Sequence, residues 1–161
     1  MVVWIEKPLV LLLHDRQIAE HGGLVGVRDE GLLLSALARP QQLYAYGDPP
    51  PDLADLAASL AHGIAKNHAF VDGNKRTAFV AYRTFLALNH AQLTASAEEK
   101  YTTILALAES RLSEADFAAW LRQRLRLDAG AAGIQEARAG YAKRSKKTAP
   151  GKNRVSKPKR R

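Results

Sequence analysis

Residues 68–78 read HAFVDGNKRTA and bring one imidazole, one carboxylate, one amide and two cations together around a glycine. Neither a helix nor a strand needs such a set for packing. The stretch lies between two apolar runs of helical spacing, so residues 69–74 should form a short loop and Asn74 should open a helix. The first turn of a helix carries unpaired N–H groups and the positive end of the dipole, and both favour anions. Gly73 lets the backbone come close to a bound group, while Lys75 and Arg76 add two positive charges on that turn. These are the parts of a phosphate cradle.

Asp72 by itself would repel phosphate. Beside a polyphosphate it makes sense as a Mg²⁺ ligand, because Mg²⁺ takes one or two carboxylates together with phosphate oxygens and water. His68 supplies what is missing for chemistry: an imidazole, with an ordinary pKa of about 6.5, suits a general base that takes a proton from an attacking hydroxyl. The set therefore points to Mg²⁺-assisted transfer from a nucleotide to a hydroxyl, catalysed by positioning and charge stabilisation. Two other phosphate motifs are excluded. GNKRT lacks the glycine that Walker A sets directly before Lys-Ser/Thr, and the protein-kinase set of glycine-rich loop, catalytic loop and Asp-Phe-Gly is absent. Taken singly, His68 and Asp72 could cap the adjoining helices, with Lys75 and Arg76 a solvated face. It is their conjunction around Gly73 and Asn74 that argues for chemistry.

The elements that must hold this loop are helices. Residues 9–21 carry apolar side chains at helical spacing and stop at Gly22-Gly23. Asp29 can cap a second helix, which should end at Pro40. Residues 39–51, RPQQLYAYGDPPP, predict a surface loop or small hairpin flap. Asp52 caps a third helix that runs into His68, and the apolar stretch after the loop predicts a buried central helix over residues 76–89. A turn with one extended stub follows, then helices over residues 96–110 and 113–127, the second capped by Ser113. Val2 to Ile5 are β-prone and predict a short edge strand. The fold class is an all-α bundle with a small β-hairpin flap or short edge strand and a disordered basic tail. One domain should occupy residues 1–127, and the tail residues 128–161.

Charge divides the chain in the same place. Residues 1–137 hold 13 Lys/Arg against 16 Asp/Glu, a net −3, whereas residues 138–161 hold 11 Lys/Arg and no acid. The tail is too poor in apolar residues to fold, so it serves as a solvated extension or makes weak, salt-dependent contact with nucleic acid. The chain has no cysteine, which fits a reducing cytoplasm and removes disulfides and thiolate metal sites. The apolar run at residues 9–13 is too short to span a bilayer and does not read as a signal peptide, so no membrane partner is expected.

HAFVDGNKRTA resembles the signature of the Fic/Doc (Fido) superfamily: His, any, Phe, any, Asp or Glu, Gly or Ala, Asn, Gly or Lys, Arg. LHDRQIAEHGGLVGVRDEGLLLSAL, upstream, is similar to the start of its death-on-curing (Doc) toxin branch, and the likeness extends over roughly residues 5–125. The resemblance implies a catalytic base at His68, a Mg²⁺-linked acid at Asp72, and nucleotide-phosphate contacts at Gly73, Asn74, Lys75 and Arg76. Lys66 stands where some Doc relatives carry arginine and joins the nucleotide-binding set. Most Fic enzymes transfer AMP and have a small glycine at the place of Lys75. The Doc branch has lysine there and transfers the ATP γ-phosphate to a threonine of elongation factor Tu, arresting translation. The resemblance thus implies an ATP- and Mg²⁺-dependent protein kinase of a toxin–antitoxin system. Gly73 is closer to the Fic pattern, which keeps protein AMP or nucleotidyl transfer as the alternative. A non-catalytic module that acts on nucleic acid through the tail is the second alternative.

Many Fic enzymes carry an inhibitory helix with Ser/Thr, three residues, then Glu followed by Gly or Asn. The nearest stretches, residues 94–99 and 110–115, lack the final residue. Inhibition in trans follows, by an antitoxin whose disordered segment folds as a helix into a groove near His68. Tyr44, Tyr46 and Gly47 correspond in the family to a flap that docks the protein substrate. His14, His21, His62 and His90 have no metal-ligand spacing and read as structural hydrogen-bonders, with His14 set apart by lying in the family-like segment.

Overall fold

The computed structural model describes residues 1–128. Its elements are helices α1 (Lys7–His21), α2 (Glu30–Tyr46), α3 (Leu53–Asn67) and α4 (Asn74–Leu88), strand β1 (Ala91–Leu93), helices α5 (Ala97–Ala108) and α6 (Glu114–Arg124), and strand β2 (Leu125–Leu127). The expected helical bundle is what forms. The tail lies outside the described residues except for Asp128, whose N–H donates to the His90 carbonyl at 2.9 Å.

Caps set most helix starts. Asp29 accepts from the Leu32 N–H, Ser96 from Glu99 and Ser113 from Asp116. Asp52 and Asp55 form a reciprocal capping box at the head of α3. Arg122 of α6 grips that box, with Nε 2.6 Å from Asp52 and Nη2 2.7 Å from Asp55. One guanidinium thereby fastens α6 to the start of the helix that ends at His68.

α3, not α4, is the central element. Eleven of its fifteen residues are buried, most of them alanine, leucine and isoleucine, against six of fifteen in α4. Small side chains let α2, α4 and α6 approach α3 on different faces, so its carboxyl end, which carries His68, is rigidly placed.

Three local expectations change. α2 does not stop at Pro40 but continues to Tyr46, so residues 39–46 are helix rather than flap. Pro40 is buried along with Leu33, Ala36 and Leu37, and this packing offsets the roughly 3 kcal/mol that an interior proline costs. Residues 2–5 join no sheet. Instead the amide of buried Asn89 takes a partner strand's part, accepting from the Val3 N–H and donating to the Val3 carbonyl, both at 2.8 Å. The β structure comes from β1 paired antiparallel with β2, in the register Ala91↔Leu127, Gln92↔Arg126 and Leu93↔Leu125. The last residues expected in α6 thus form a strand. Leu125 and Leu127 alternate with Arg126, and both leucines pack on the core.

Candidate active site

The loop between α3 and α4 is built from both ends. α3 ends at His68, whose backbone is left-handed (φ 50°, ψ 45°). Such a conformation is uncommon for a residue with a side chain and needs external support. Arg28 gives that support: its Nε donates to the His68 carbonyl at 2.8 Å and its Nη2 to the Asn67 carbonyl at 3.4 Å. The His68 side chain is exposed. At the other end Asn74 clamps Phe70, its Oδ1 accepting from the Phe70 N–H and its Nδ2 donating to the Phe70 carbonyl, both at 3.0 Å. The Asn74 side chain therefore shapes the loop, and what it presents at the head of α4 is its backbone N–H.

Behind the loop, Phe70 stacks on His14 of α1, with ring centroids 3.8 Å apart and planes within 6°. His14 is buried, and its Nε2 donates to the Asp72 carbonyl at 2.8 Å. Residues 22–29 run along the loop as an extended partner. Val27 bridges Phe70, the Val71 N–H donates to Gly26, and the Arg28 and Asp29 N–H groups both donate to the Ala69 carbonyl.

Two N–H groups fix the Asp72 carboxylate, that of Leu24 at 3.1 Å and that of Gly73 at 2.7 Å. These bonds, Leu24's first, together with the charge of Arg76, hold its pKa below the ordinary carboxylate value. Gly23 makes this approach possible, since a Cβ there would lie 2.6 Å from Asp72 Oδ2. Gly73 caps α4 with φ +75°, a conformation that disfavours any residue with a side chain. No side chain caps α4, so the N–H groups of its first turn are left without an intrahelical acceptor.

His68, Asp72, Gly73, Asn74, Lys75 and Arg76 line one cavity of about 420 Å³. Its opposite wall is Tyr101, Ile104 and Leu105 of α5. The Lys75 Nζ is 3.9 Å from Glu109 beyond the end of α5. Arg76 reaches back to α1, donating from Nη1 to the Gly22 carbonyl at 2.9 Å and the Gln17 carbonyl at 3.4 Å. Lys66 is not brought into the cavity. Its Nζ donates to the Ala108 carbonyl at 3.3 Å and to Ser110 Oγ, which fixes the end of α5. Tyr44 and Tyr46 also lie away from it, on the last turn of α2, where Tyr44 meets Trp4 edge to face.

Sequence reading alone did not find Arg28, the extended partner at residues 22–29, or the α5 wall. Their roles arise from non-local pairing. The one available signal was His14, a histidine spaced four residues from Val10 and from Ile18 on the apolar face of α1, upstream of a glycine pair.

The donor set suits a magnesium-bound polyphosphate. An ionised, partly exposed carboxylate stands beside an uncapped helix start with two cations on its first turn. Among the described residues lining the cavity, Asp72 is the acid, and one carboxylate is enough when phosphate oxygens complete the shell.

Comparison with known proteins places the chain. The model described as Fic/DOC family matches residues 4–86. Toxin Doc of Mycolicibacterium smegmatis is 54% identical over 74 residues, which are 46% of this chain and 57% of that protein. The chain thus matches little more than half the length of that relative. Protein kinase doc of Escherichia phage P1 is 34% identical over 114 residues, which are 71% of this chain and 89% of that protein.

Proposed function

The chain belongs to the Fic/DOC family, and from that premise we propose that it is a Doc-type toxin: a protein kinase that moves the γ-phosphate of ATP to a threonine of a translation factor. Elongation factor Tu is the acceptor that the family resemblance implies. The observation that carries this reading is one cavity in which an exposed imidazole, an ionised carboxylate and an uncapped helix start converge, with the long cation Lys75 on that first turn. The naming of the phage P1 relative as a protein kinase supports phosphoryl rather than nucleotidyl transfer.

In this mechanism His68 is the catalytic base and takes the proton of the acceptor hydroxyl. The freed oxygen bonds to the γ-phosphorus as the bond from that phosphorus to the β–γ bridging oxygen breaks, and the electron pair leaves with ADP. The N–H groups of Asn74, Lys75 and Arg76, with the two side-chain cations, hold the phosphates, and Gly73 keeps the approach open. Asp72 is the residue that would hold Mg²⁺, which when bound neutralises phosphate charge. Lys66 acts one step removed, by fixing the end of α5. The acceptor would cross the exposed apolar edge formed by Leu24, Val25, Val27 and Val71 next to the loop, in place of the flap expected at Tyr44, Tyr46 and Gly47. As a toxin the chain would be paired with an antitoxin whose helix covers the cleft near His68.

The test is to incubate the purified chain with a cell lysate and ATP labelled on either the γ- or the α-phosphate. γ-Label should appear on one protein and vanish with His68→Ala, while α-label should not transfer. Transfer of α-label would replace the kinase reading with nucleotidyl transfer, and transfer of neither would overturn both.

A further inference from the structure

A histidine that acts as a base is commonly oriented by a third group bonded to its second ring nitrogen. His68 has no such orienter. Among the described residues none bonds its ring, and the contact that holds it runs through its carbonyl. The direction of the imidazole therefore follows from the backbone of residue 68, which is left-handed at φ 50° and ψ 45°. Right-handed helical or extended geometry suits a residue with a side chain better. A change to either would turn the Cα–Cβ bond and swing the ring away from the cavity it lines.

The groups that hold this turn come from the head of α2. On one side of His68, the Asn67 Nδ2 donates to the Leu32 carbonyl at 3.0 Å. On the other, the Ala69 carbonyl accepts from the N–H groups of Arg28 and Asp29, at 2.8 and 3.0 Å. Between these anchors the His68 carbonyl takes the Arg28 Nε at 2.8 Å, from 40 residues away in the chain. The Arg28 Nη2 reaches back to the Asn67 carbonyl at 3.4 Å. A planar fork suits two successive carbonyls, and its charge suits the negative end of α3. These bonds are exposed, so water could replace them as donors. Water could not tie the end of α3 to residue 28.

We propose that Arg28 is a positioning residue for the reaction: it keeps residue 68 left-handed and so points the base into the cleft. This rests on the reading of His68 as the base. Arg28 is not among the residues that line the cradle, so its loss should spare nucleotide binding.

Arg28→Met keeps much of the stem and removes the donors, while Arg28→Lys keeps the charge without the fork. The measurements, all on the full chain, are kcat for γ-label transfer, Mg²⁺-ATP affinity by calorimetry, and the backbone carbon shifts of residue 68. Those shifts report φ and ψ whether or not the protein is active. Arg28→Met should lower kcat about 100-fold, leave Mg²⁺-ATP affinity unchanged and move the shifts of residue 68 away from left-handed values. Arg28→Lys, the milder change, should give an intermediate kcat with the same affinity. Wild-type kcat in either variant, unmoved shifts in Arg28→Met, or equal losses of kcat and Mg²⁺-ATP affinity would overturn the role of Arg28 and leave His68 as the base. A wild-type chain that transfers no label would overturn the reading of His68, and this inference with it.

Discussion

Replacing His14 separates the part of the account that concerns loop position from the part that concerns reactive groups. His14 touches no proposed ligand, yet its ring stacks 3.8 Å from Phe70 and its Nε2 holds the Asp72 carbonyl at 2.8 Å. His14→Phe keeps the stack and removes the donor, leaving a partly buried carbonyl without its partner, a loss of about 1 kcal/mol. His14→Ala removes the ring as well and opens a cavity behind the loop, which raises the cost to about 3 kcal/mol. For a domain of this size these values correspond to falls in Tm of about 4 °C and about 10 °C. The effect on rate should exceed the effect on stability, because a shift of about 1 Å in a positioned group can cost on the order of 100-fold. Melting curves and initial rates of γ-label transfer, taken well below both melting points, measure the two effects. kcat should fall more than KM rises, since the head of α4 keeps its own N–H groups. A His14→Ala chain with a lowered Tm and an unchanged rate would refute the claim that this ring positions Asp72 for catalysis.

Asn74→Ala should release both bonds to Phe70 and lower stability by about 2 kcal/mol, with weaker Mg²⁺-ATP binding in the same preparation as the check. Lys75→Gly should reduce γ-label transfer at least about ten-fold and make room for transfer of α-label, so an unchanged γ-rate would remove Lys75 as the selector. Acid stability should depend on Asp52. Burial pushes its carboxyl upward, but the hydrogen bonds from Arg122 and from Asp55 outweigh that and hold it at about 2. Because the folded value is depressed, this contribution is fully present above the ordinary carboxylate pKa and is lost as pH falls from about 4 toward about 2. Denaturant melts of wild type should show that loss, and Arg122→Met should be less stable at neutral pH with a flatter acid profile.

The loop, the helices on either side of it and the caps at Asp29, Asp52 and Ser113 were all legible, because each rests on neighbouring residues and on side-chain chemistry that works locally. Pro40 was read as a stop because proline acts locally too, but its burial is a tertiary effect that no window around Pro40 contains. The same limit hid the pairing of residues 22–29 with the loop: Gly22-Gly23 announced the end of α1 and carried no sign of where the chain went next. Lys66 joined the nucleotide-binding set on the family resemblance alone, and the meeting of its Nζ with the end of α5 is a tertiary contact that its sequence neighbours do not announce. Tyr101 sits in a helix that was expected, but the face of that helix turned toward the cleft is set by packing against α4.

The backbone amide resonances of Asn74, Lys75 and Arg76 report most directly on the central claim. On titration with Mg²⁺-ATP they should shift together and saturate at one ligand concentration, with His68 following the same curve. Saturable shifts elsewhere in the chain while these amides stay in place would contradict the account, whatever activity the protein proved to have.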